Sequence, residues 1–228
     1  MSLATKPLKD AAQPRDAGLT IEPIWLEWLT LGGMLAFGGW LLGMRGVWAL
    51  LLSSDPTGLT LVIIAVFVAS TLWCGARSRE LQRQRSLLRA AQRGAGLAGW
   101  AGDYLAALRA NPRDENAPLD LLVEVAQGPH HTAWWVNGIQ LKLGLLGKVI
   151  GFSVLALQIG NIQSFDPNQT QDLLKSLTQG LGIALLTTMV GLVGNILLGL
   201  QLTRLDRYAD ALVSDCQRAG LGIGRDTP

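Results

Sequence analysis

The strongest constraint in this sequence is a pair of apolar runs separated by a short polar break. The first run covers residues 143–162, and the second covers about 177–202. Each run holds about 20 residues or more, enough for an α-helix to cross the ~30 Å hydrocarbon core of a bilayer. The break between them, residues 163–172, is polar. This pattern predicts a hairpin of two transmembrane helices that are rich in glycine and threonine.

The composition agrees with a membrane protein. Of the 228 residues, 49% are hydrophobic and only 16% are charged, against about 25% charged residues in typical soluble domains. The net charge of +2 is too small to indicate nucleic-acid binding, and membrane proteins often gain such a surplus from cytoplasmic loops. The first 23 residues lack the apolar segment of a cleavable signal peptide. Cys74 and Cys216 are expected to be reduced thiols on the cytoplasmic side.

The front half of the chain predicts a second membrane hairpin, over residues 24–76. Its first apolar stretch is interrupted at Arg45, so the end of the first crossing is open, because Arg45 could snorkel to the surface or face a protein interior. A turn at residues 53–58 separates it from the next crossing, at 59–76. Tryptophans flank the first stretch as interfacial aromatic residues do.

The loops predict the topology. A dense arginine run directly follows the second crossing, and the positive-inside rule places such a run in the cytoplasm. We therefore expect an all-α integral membrane protein with four transmembrane helices and both ends inside, with helices 3 and 4 extended into the cytoplasm. The segments are a cytoplasmic N-terminal arm (1–23), a first transmembrane hairpin (24–76), a helical cytoplasmic segment (77–140), a pore-type transmembrane hairpin (141–203), and a cytoplasmic C-terminal helix and tail (204–228).

The cytoplasmic segment is predicted to contain short helices. Gly128-Pro129 is expected to end one of them, and the next helix is expected to begin near Thr132 and to run into the membrane. Beyond residue 202, apolar residues at helical spacing predict that the last membrane helix continues for a few turns.

Two stripes mark the 141–203 hairpin. Small and polar residues recur at helical spacing on each of its helices, and Gly147 and Gly151 have the GxxxG spacing that lets membrane helices approach closely. Polar groups at membrane depth face protein or a water-filled cavity. The stripes are Gly144, Lys148, Gly151, Leu155 and Gln158 on the first helix, and Ala184, Thr188, Gly191 and Asn195 on the second. Leu155 makes the first stripe mixed, which weakens it as a pore-lining signal, whereas the second is small or polar at every position.

The same residues resemble a known family. Residues 144–151 read Gly-Leu-Leu-Gly-Lys-Val-Ile-Gly, and residues 182–192 read Gly-Ile-Ala-Leu-Leu-Thr-Thr-Met-Val-Gly-Leu. These runs resemble the signature of the MotA/TolQ/ExbB proton-channel family, over roughly residues 130–215. The front half matches in topology only. Four crossings look closer to the flagellar-stator branch and the hairpin closer to TolQ and ExbB, so the branch is left unassigned.

The resemblance implies a homopentamer around two copies of a single-span partner of the MotB/TolR/ExbD kind. In that family the partner's transmembrane aspartate carries the proton, and threonines of the larger subunit line the path. The candidate ion-pathway residues are therefore Thr188, Thr187, Asn195, Lys148 and Gln158. The candidate helix-packing residues are Gly144, Gly147, Gly151, Gly191 and Gly194.

Lys148 departs from the family pattern, because members usually carry threonine at that position. The preferred interpretation is that Lys148 snorkels to the cytoplasmic interface. In the alternative, it faces the pore beside the partner's carboxylate, stabilises the ionised form of that group and resists its protonation.

Other chemistry is weakly indicated. The pair His130-His131 stands without further clustered ligands, so it is interpreted as an interfacial pair and no metal site is predicted. No catalytic constellation or cofactor motif occurs in the sequence, and an enzyme is not expected. The predicted function is that of a proton-motive-force-driven stator or energiser subunit in the bacterial inner membrane, with no nucleic-acid partner. The alternatives are a non-conducting pentameric scaffold of the same family and an unrelated small transporter subunit.

Overall fold

The structure is a computed structural model that describes residues 24–55, 57–93, 96, 98–110, 116–160 and 167–223. The described residues form six α-helices and no strand, which confirms the predicted all-α class. The helices are α1 (Ile24–Met44), α2 (Val47–Ser54), α3 (Leu59–Gln92), α4 (Gly99–Ala110), α5 (Asn116–Gly160) and α6 (Pro167–Ile223). The predicted arm at 1–23 and the last residues of the tail lie outside the described residues.

Among the residues that the structure describes, three stretches are long and apolar enough to cross a membrane. They are Leu59–Gln92, Asn116–Leu157 and Gly180–Leu221, which belong to α3, α5 and α6. These helices suggest a membrane protein. Helix α1 has 21 residues but is not one of the three, because Glu27, several glycines and the tryptophans reduce its hydropathy. The fourth crossing therefore stays a prediction.

The open question at Arg45 is answered by a turn. Helix α1 ends at Met44, and Gly46 adopts a left-handed conformation with φ of 72°, which glycine adopts without a steric penalty. Helix α2 then folds back, and the Trp48 indole donates a hydrogen bond to the Gly39 carbonyl of α1 at 2.9 Å. Arg45 itself is exposed in the turn.

Helices α5 and α6 are much longer than a membrane requires. They contain 45 and 57 residues, and 57 residues at a rise of ~1.5 Å each extend for about 85 Å. Helix α6 begins at Pro167, within the residues expected to form the polar break, since proline is well tolerated at the first position of a helix. The predicted helical continuation past residue 202 is confirmed, and its apolar residues are buried: Leu205, Ala209, Leu212 and Cys216.

The buried core lies at the end of the bundle where α4 meets α3, α5 and α6. Leu81 and Leu88 of α3 pack there with Leu105 of α4, Leu122 of α5 and Leu212 of α6. Along the apolar stretches, by contrast, many large side chains are exposed, among them Phe37, Leu72, Leu145, Phe152, Leu185 and Ile196. Exposed apolar surface of this extent is expected where a chain contacts lipid or other subunits. Cys74 and Cys216 are both free and buried.

The predicted break at Gly128-Pro129 is wrong, because α5 runs through Pro129. Proline lacks the N–H that would bond to the carbonyl of Val125, four residues earlier. Arg77 of α3 supplies the missing donor: its Nη2 donates to the Val125 carbonyl at 2.6 Å and to the Ala126 carbonyl at 2.9 Å. A residue some 50 positions away thus keeps the helix continuous.

This arrangement predicts coupling between Arg77 and Pro129. Arg77→Met should lower the free energy of unfolding by about 1–3 kcal/mol, because it removes the charge-assisted hydrogen bonds that Arg77 donates to the Val125 and Ala126 carbonyls. In a Pro129→Ala background the new N–H bonds to Val125, so the same substitution should cost about 1 kcal/mol less. Thermal unfolding of the four proteins in one detergent measures the coupling. Equal losses in both backgrounds would show that Arg77 does not replace the missing helical bond.

Candidate functional site

The glycines singled out from the sequence lie where α5 and α6 contact each other. On α5, the buried residues Asn137, Gln140, Gly144, Gly147 and Gly151 recur at spacings of three and four, which places them along one side of a helix. We call the contact of Gly144, Gly147 and Gly151 with Ala184, Thr187 and Gly191 the α5–α6 seam.

The seam brings two backbones together. A Cβ atom built on Gly144 would lie 3.2 Å from the Thr187 carbonyl oxygen and 3.3 Å from the Cα of Gly191. At Gly151 the added Cβ would lie 2.7 Å from the backbone nitrogen of Ala184. Backbone atoms cannot move aside as a flexible side chain can. The glycines are therefore required for the close approach of the two helices.

The two threonines occupy different environments. Thr187 is fully buried in the seam, and its hydroxyl donates to the Ile183 carbonyl at 2.7 Å. Thr188 is half-buried. Its hydroxyl lies 2.7 Å from the Ala184 carbonyl of its own helix and 3.1 Å from the Gly144 carbonyl of α5. Thr188 therefore joins the two helices at the edge of the seam, whereas Thr187 lies inside it.

A buried polar group continues the seam toward the core. Asn195 of α6 donates through Nδ2 to the Asn137 carbonyl of α5 at 2.8 Å. The side-chain oxygen of Asn137 and both polar atoms of the Gln140 amide are buried without a hydrogen-bond partner among the described residues. The Gln140 amide also faces Gly194 of α6, because a Cβ atom built on Gly194 would lie 3.4 Å from it. Sequence reasoning missed Asn137 and Gln140, although both continue the spacing of the α5 glycines.

Lys148 does not point into the seam. Its side chain is exposed on α5, beside the exposed apolar residues Leu145, Val149 and Phe152. The side chain of Gln158 lies outside the described residues. The structure thus brings Thr187, Thr188 and Asn195 together along one helix contact, while Lys148 lies on a different face of α5.

A second polar cluster connects α3, α5 and α6 where the apolar stretches of these helices end. The Asp206 carboxylate of α6 lies 2.7 Å from Nδ1 of His130 and accepts a hydrogen bond from the Trp134 indole at 2.8 Å. Arg77 of α3 donates through Nε to Nε2 of His130 at 3.4 Å. We call Arg77, His130, Trp134 and Asp206 the polar junction. His131, by contrast, is exposed, so the two histidines do not act as a pair.

The contacts of the polar junction define the state of His130. Arg77 can only donate, so Nε2 of His130 must accept, and the ring proton therefore lies on Nδ1 and is donated to Asp206. Burial lowers the pKa of His130, the Asp206 carboxylate opposes that shift, and the nearby positive charges of Arg77 and His131 add to it. Burial and the neighbouring Arg77 and His131 side chains thus favour a neutral imidazole. Within the described residues, no group of three potential metal ligands occurs.

Comparison with known proteins adds no relative: no protein-family model, curated protein or solved structure matches this chain.

The seam predicts that glycine positions on α5 differ sharply in their tolerance of a methyl group. Gly151→Ala should destabilise the protein by about 1–3 kcal/mol, because the backbone of α6 must move. Gly138→Ala is the matched control: it lies on the same helix, a Cβ there meets nothing within 4 Å, and alanine should stabilise the helix by up to about 1 kcal/mol. Thermal unfolding of both variants tests this order. If Gly151→Ala were as stable as Gly138→Ala, the two backbones could not be in contact.

Proposed function

We propose that this chain is a subunit of a proton-motive-force-driven stator or energiser complex in the bacterial inner membrane, working with a single-span partner. One observation carries the proposal. The two runs that resemble the MotA/TolQ/ExbB signature lie on different helices, and the α5–α6 seam brings them into contact through Gly144, Gly191 and Thr188. Two runs that belong to one family signature are expected to pack against each other in this way.

The chemistry of the seam supports a role beside a partner's carboxylate. Thr188 is half-buried at the seam edge, so its hydroxyl oxygen can face a neighbouring chain while its proton is shared between two carbonyls. Asn195 lies two turns further along the same side of α6. In the hairpin neither described span holds an acidic side chain. A titrating carboxylate in the pathway is therefore supplied by the partner.

The exposed apolar faces of α5 and α6 support assembly. Leu145, Val149 and Phe152 of α5, with Leu185 and Met189 of α6, cover the outside of the hairpin. In a pentamer around two partner helices, such faces would pack against neighbouring subunits, the partner and lipid. The Thr188 edge of each hairpin would then face the partner.

Lys148 lies deep along α5. It is six residues beyond Lys142, about 9 Å, and 14 residues beyond Trp134, about 21 Å, at a rise of ~1.5 Å per residue. Charged groups at such depth usually face protein or water. This position favours the interpretation in which Lys148 faces the partner's carboxylate over the one in which it snorkels to the interface.

The test is proton flux through proteoliposomes that contain the chain and its single-span partner. Thr188→Val removes the hydroxyl while keeping the shape of the side chain, and it should reduce proton flux about 100-fold or more, since a positioned proton-transfer group can contribute 10²–10⁴-fold. Thr203→Val is the matched control, because Thr203 bonds only to the Gly199 carbonyl one turn earlier. If both variants conduct like the wild type, Thr188 does not line the path.

The same assay separates the second candidate, a non-conducting scaffold of the same family. Lys148 favours this candidate, because a fixed cation facing the partner's carboxylate would keep it ionised. No flux in the wild type together with flux in Lys148→Thr would establish the scaffold. Equal flux in the wild type and in Lys148→Thr would show that the lysine does not gate the path.

A further inference from the structure

A groove lies between α1, α3 and α6, and none of the residues that define the α5–α6 seam lines it. Its volume is about 460 Å³, within the range of about 300–1,000 Å³ typical of small-molecule sites. Glu27 and Arg204 lie at one part of its wall, and Leu31 and Met34 of α1 line another. From Glu27 to Met34 is seven residues, about 10 Å along the helix. The groove thus runs from charged to apolar residues.

The wall of this groove is rigid. The Trp28 indole donates to the Thr71 carbonyl at 3.1 Å and stacks on Trp25 with ring centroids 4.9 Å apart. Its ring also packs directly on Gly75, where an added Cβ would overlap the indole. A site held open by such contacts needs little rearrangement to accept a ligand.

The charged part of the groove carries both signs. Arg204 Nη1 and Glu27 Oε2 form an ion pair of 3.0 Å, and their side chains remain 61% and 35% exposed. The pair can therefore still be reached by another charged group. Gln201 also lines the groove: it is 5% exposed, its Nε2 donates to Thr71 Oγ1, and its Oε1 has no partner among the described residues.

The Glu27–Arg204 ion pair lies at the same height along the bundle as the polar junction. Arg204 lies two residues before Asp206 on α6, and Ser78, which lines the groove, follows Arg77 on α3. Charged and aromatic side chains on four helices thus lie at one height, as expected at a membrane surface. With α1 as the predicted first crossing, the apolar part of the groove extends from there into the hydrocarbon.

We propose that this groove binds one phospholipid whose head group carries both a primary ammonium and a phosphate, as in phosphatidylethanolamine. The ammonium donates to the Glu27 carboxylate, the phosphate accepts from the Arg204 guanidinium, and an acyl chain lies along Leu31, Met34 and Leu200. Each charge of the head group thus meets a side chain of opposite charge, one on Glu27 and the other on Arg204. This binding is independent of proton conduction.

The charges distinguish this lipid from its relatives. A phosphatidylglycerol head group has a phosphate but no cation, so its negative charge would lie beside the Glu27 carboxylate with no positive charge of the lipid to offset the repulsion. A choline head group has a cation that cannot donate a hydrogen bond, so Glu27 would gain only a weaker contact. Of the three head groups, only the primary ammonium offers positively charged donors to carboxylate and amide oxygens.

The test is native mass spectrometry of the whole protein, released from detergent after incubation with equal amounts of dioleoyl phosphatidylethanolamine, phosphatidylcholine and phosphatidylglycerol. We expect one retained phosphatidylethanolamine per chain, in preference to the other two. Glu27→Gln should reduce that preference about tenfold, the effect of one charged hydrogen bond. Arg207→Gln is the control, since Arg207 is an exposed arginine of α6 that does not line the groove.

A second variant tests the groove while leaving the Glu27–Arg204 ion pair intact, so a structural effect of breaking that pair cannot explain its result. Leu31→Trp fills the apolar part of the groove without touching the charges, and it should abolish retention of all three lipids while the protein keeps its helical content. Equal retention of the three lipids by the wild type would overturn the proposal. So would unchanged phosphatidylethanolamine retention in Glu27→Gln or in Leu31→Trp. Absence of any retained lipid in every oligomeric state would mean that protein, not lipid, covers the groove.

Discussion

Contact between two helix backbones is the constraint on which the rest of this structure depends. At the α5–α6 seam, a methyl group on Gly151 or Gly191 would collide with the facing backbone, and one on Gly144 would be pressed tightly against it. Close approach lets the Thr188 hydroxyl reach the Gly144 carbonyl across the contact. It also encloses Thr187 and Gln140, which are fully buried. Packing and polar chemistry in the hairpin are therefore consequences of the same small residues.

The polar junction connects this hairpin to the rest of the chain. Arg77 of α3 bonds to α5 at the carbonyl that Pro129 frees, and His130 passes the contact on to Asp206 of α6. Because the ring of His130 lies between a permanent cation and a carboxylate, it accepts from one and donates to the other. Movement of α6 relative to α5 would have to break these bonds. The polar junction thus connects α3 to the two helices that form the α5–α6 seam.

The sequence was sufficient for features that depend on local pattern. Apolar runs of membrane length predicted the long helices, and helical spacing beyond residue 202 predicted the extension of α6, as observed. The break at Gly128-Pro129 was wrong, because the compensating donor, Arg77, comes from another helix and has no local signature. For the same reason the His130–Asp206 bond, between residues 76 positions apart, could not be predicted, nor could the folding of α2 against α1. The glycine spacing of the seam was visible in the sequence, as were Ala184 and Gly191 on α6, but which residues of the two helices face each other required the structure.

The proposed function requires that this chain form a ring of subunits around a single-span partner. Native mass spectrometry of the detergent-extracted protein, produced with and without the product of a neighbouring gene that encodes one apolar span containing an aspartate, tests it most directly. We expect five copies of this chain, or five copies with two of the partner. A monomer, dimer or tetramer that recruits no such partner would contradict the account and would favour an unrelated transporter subunit.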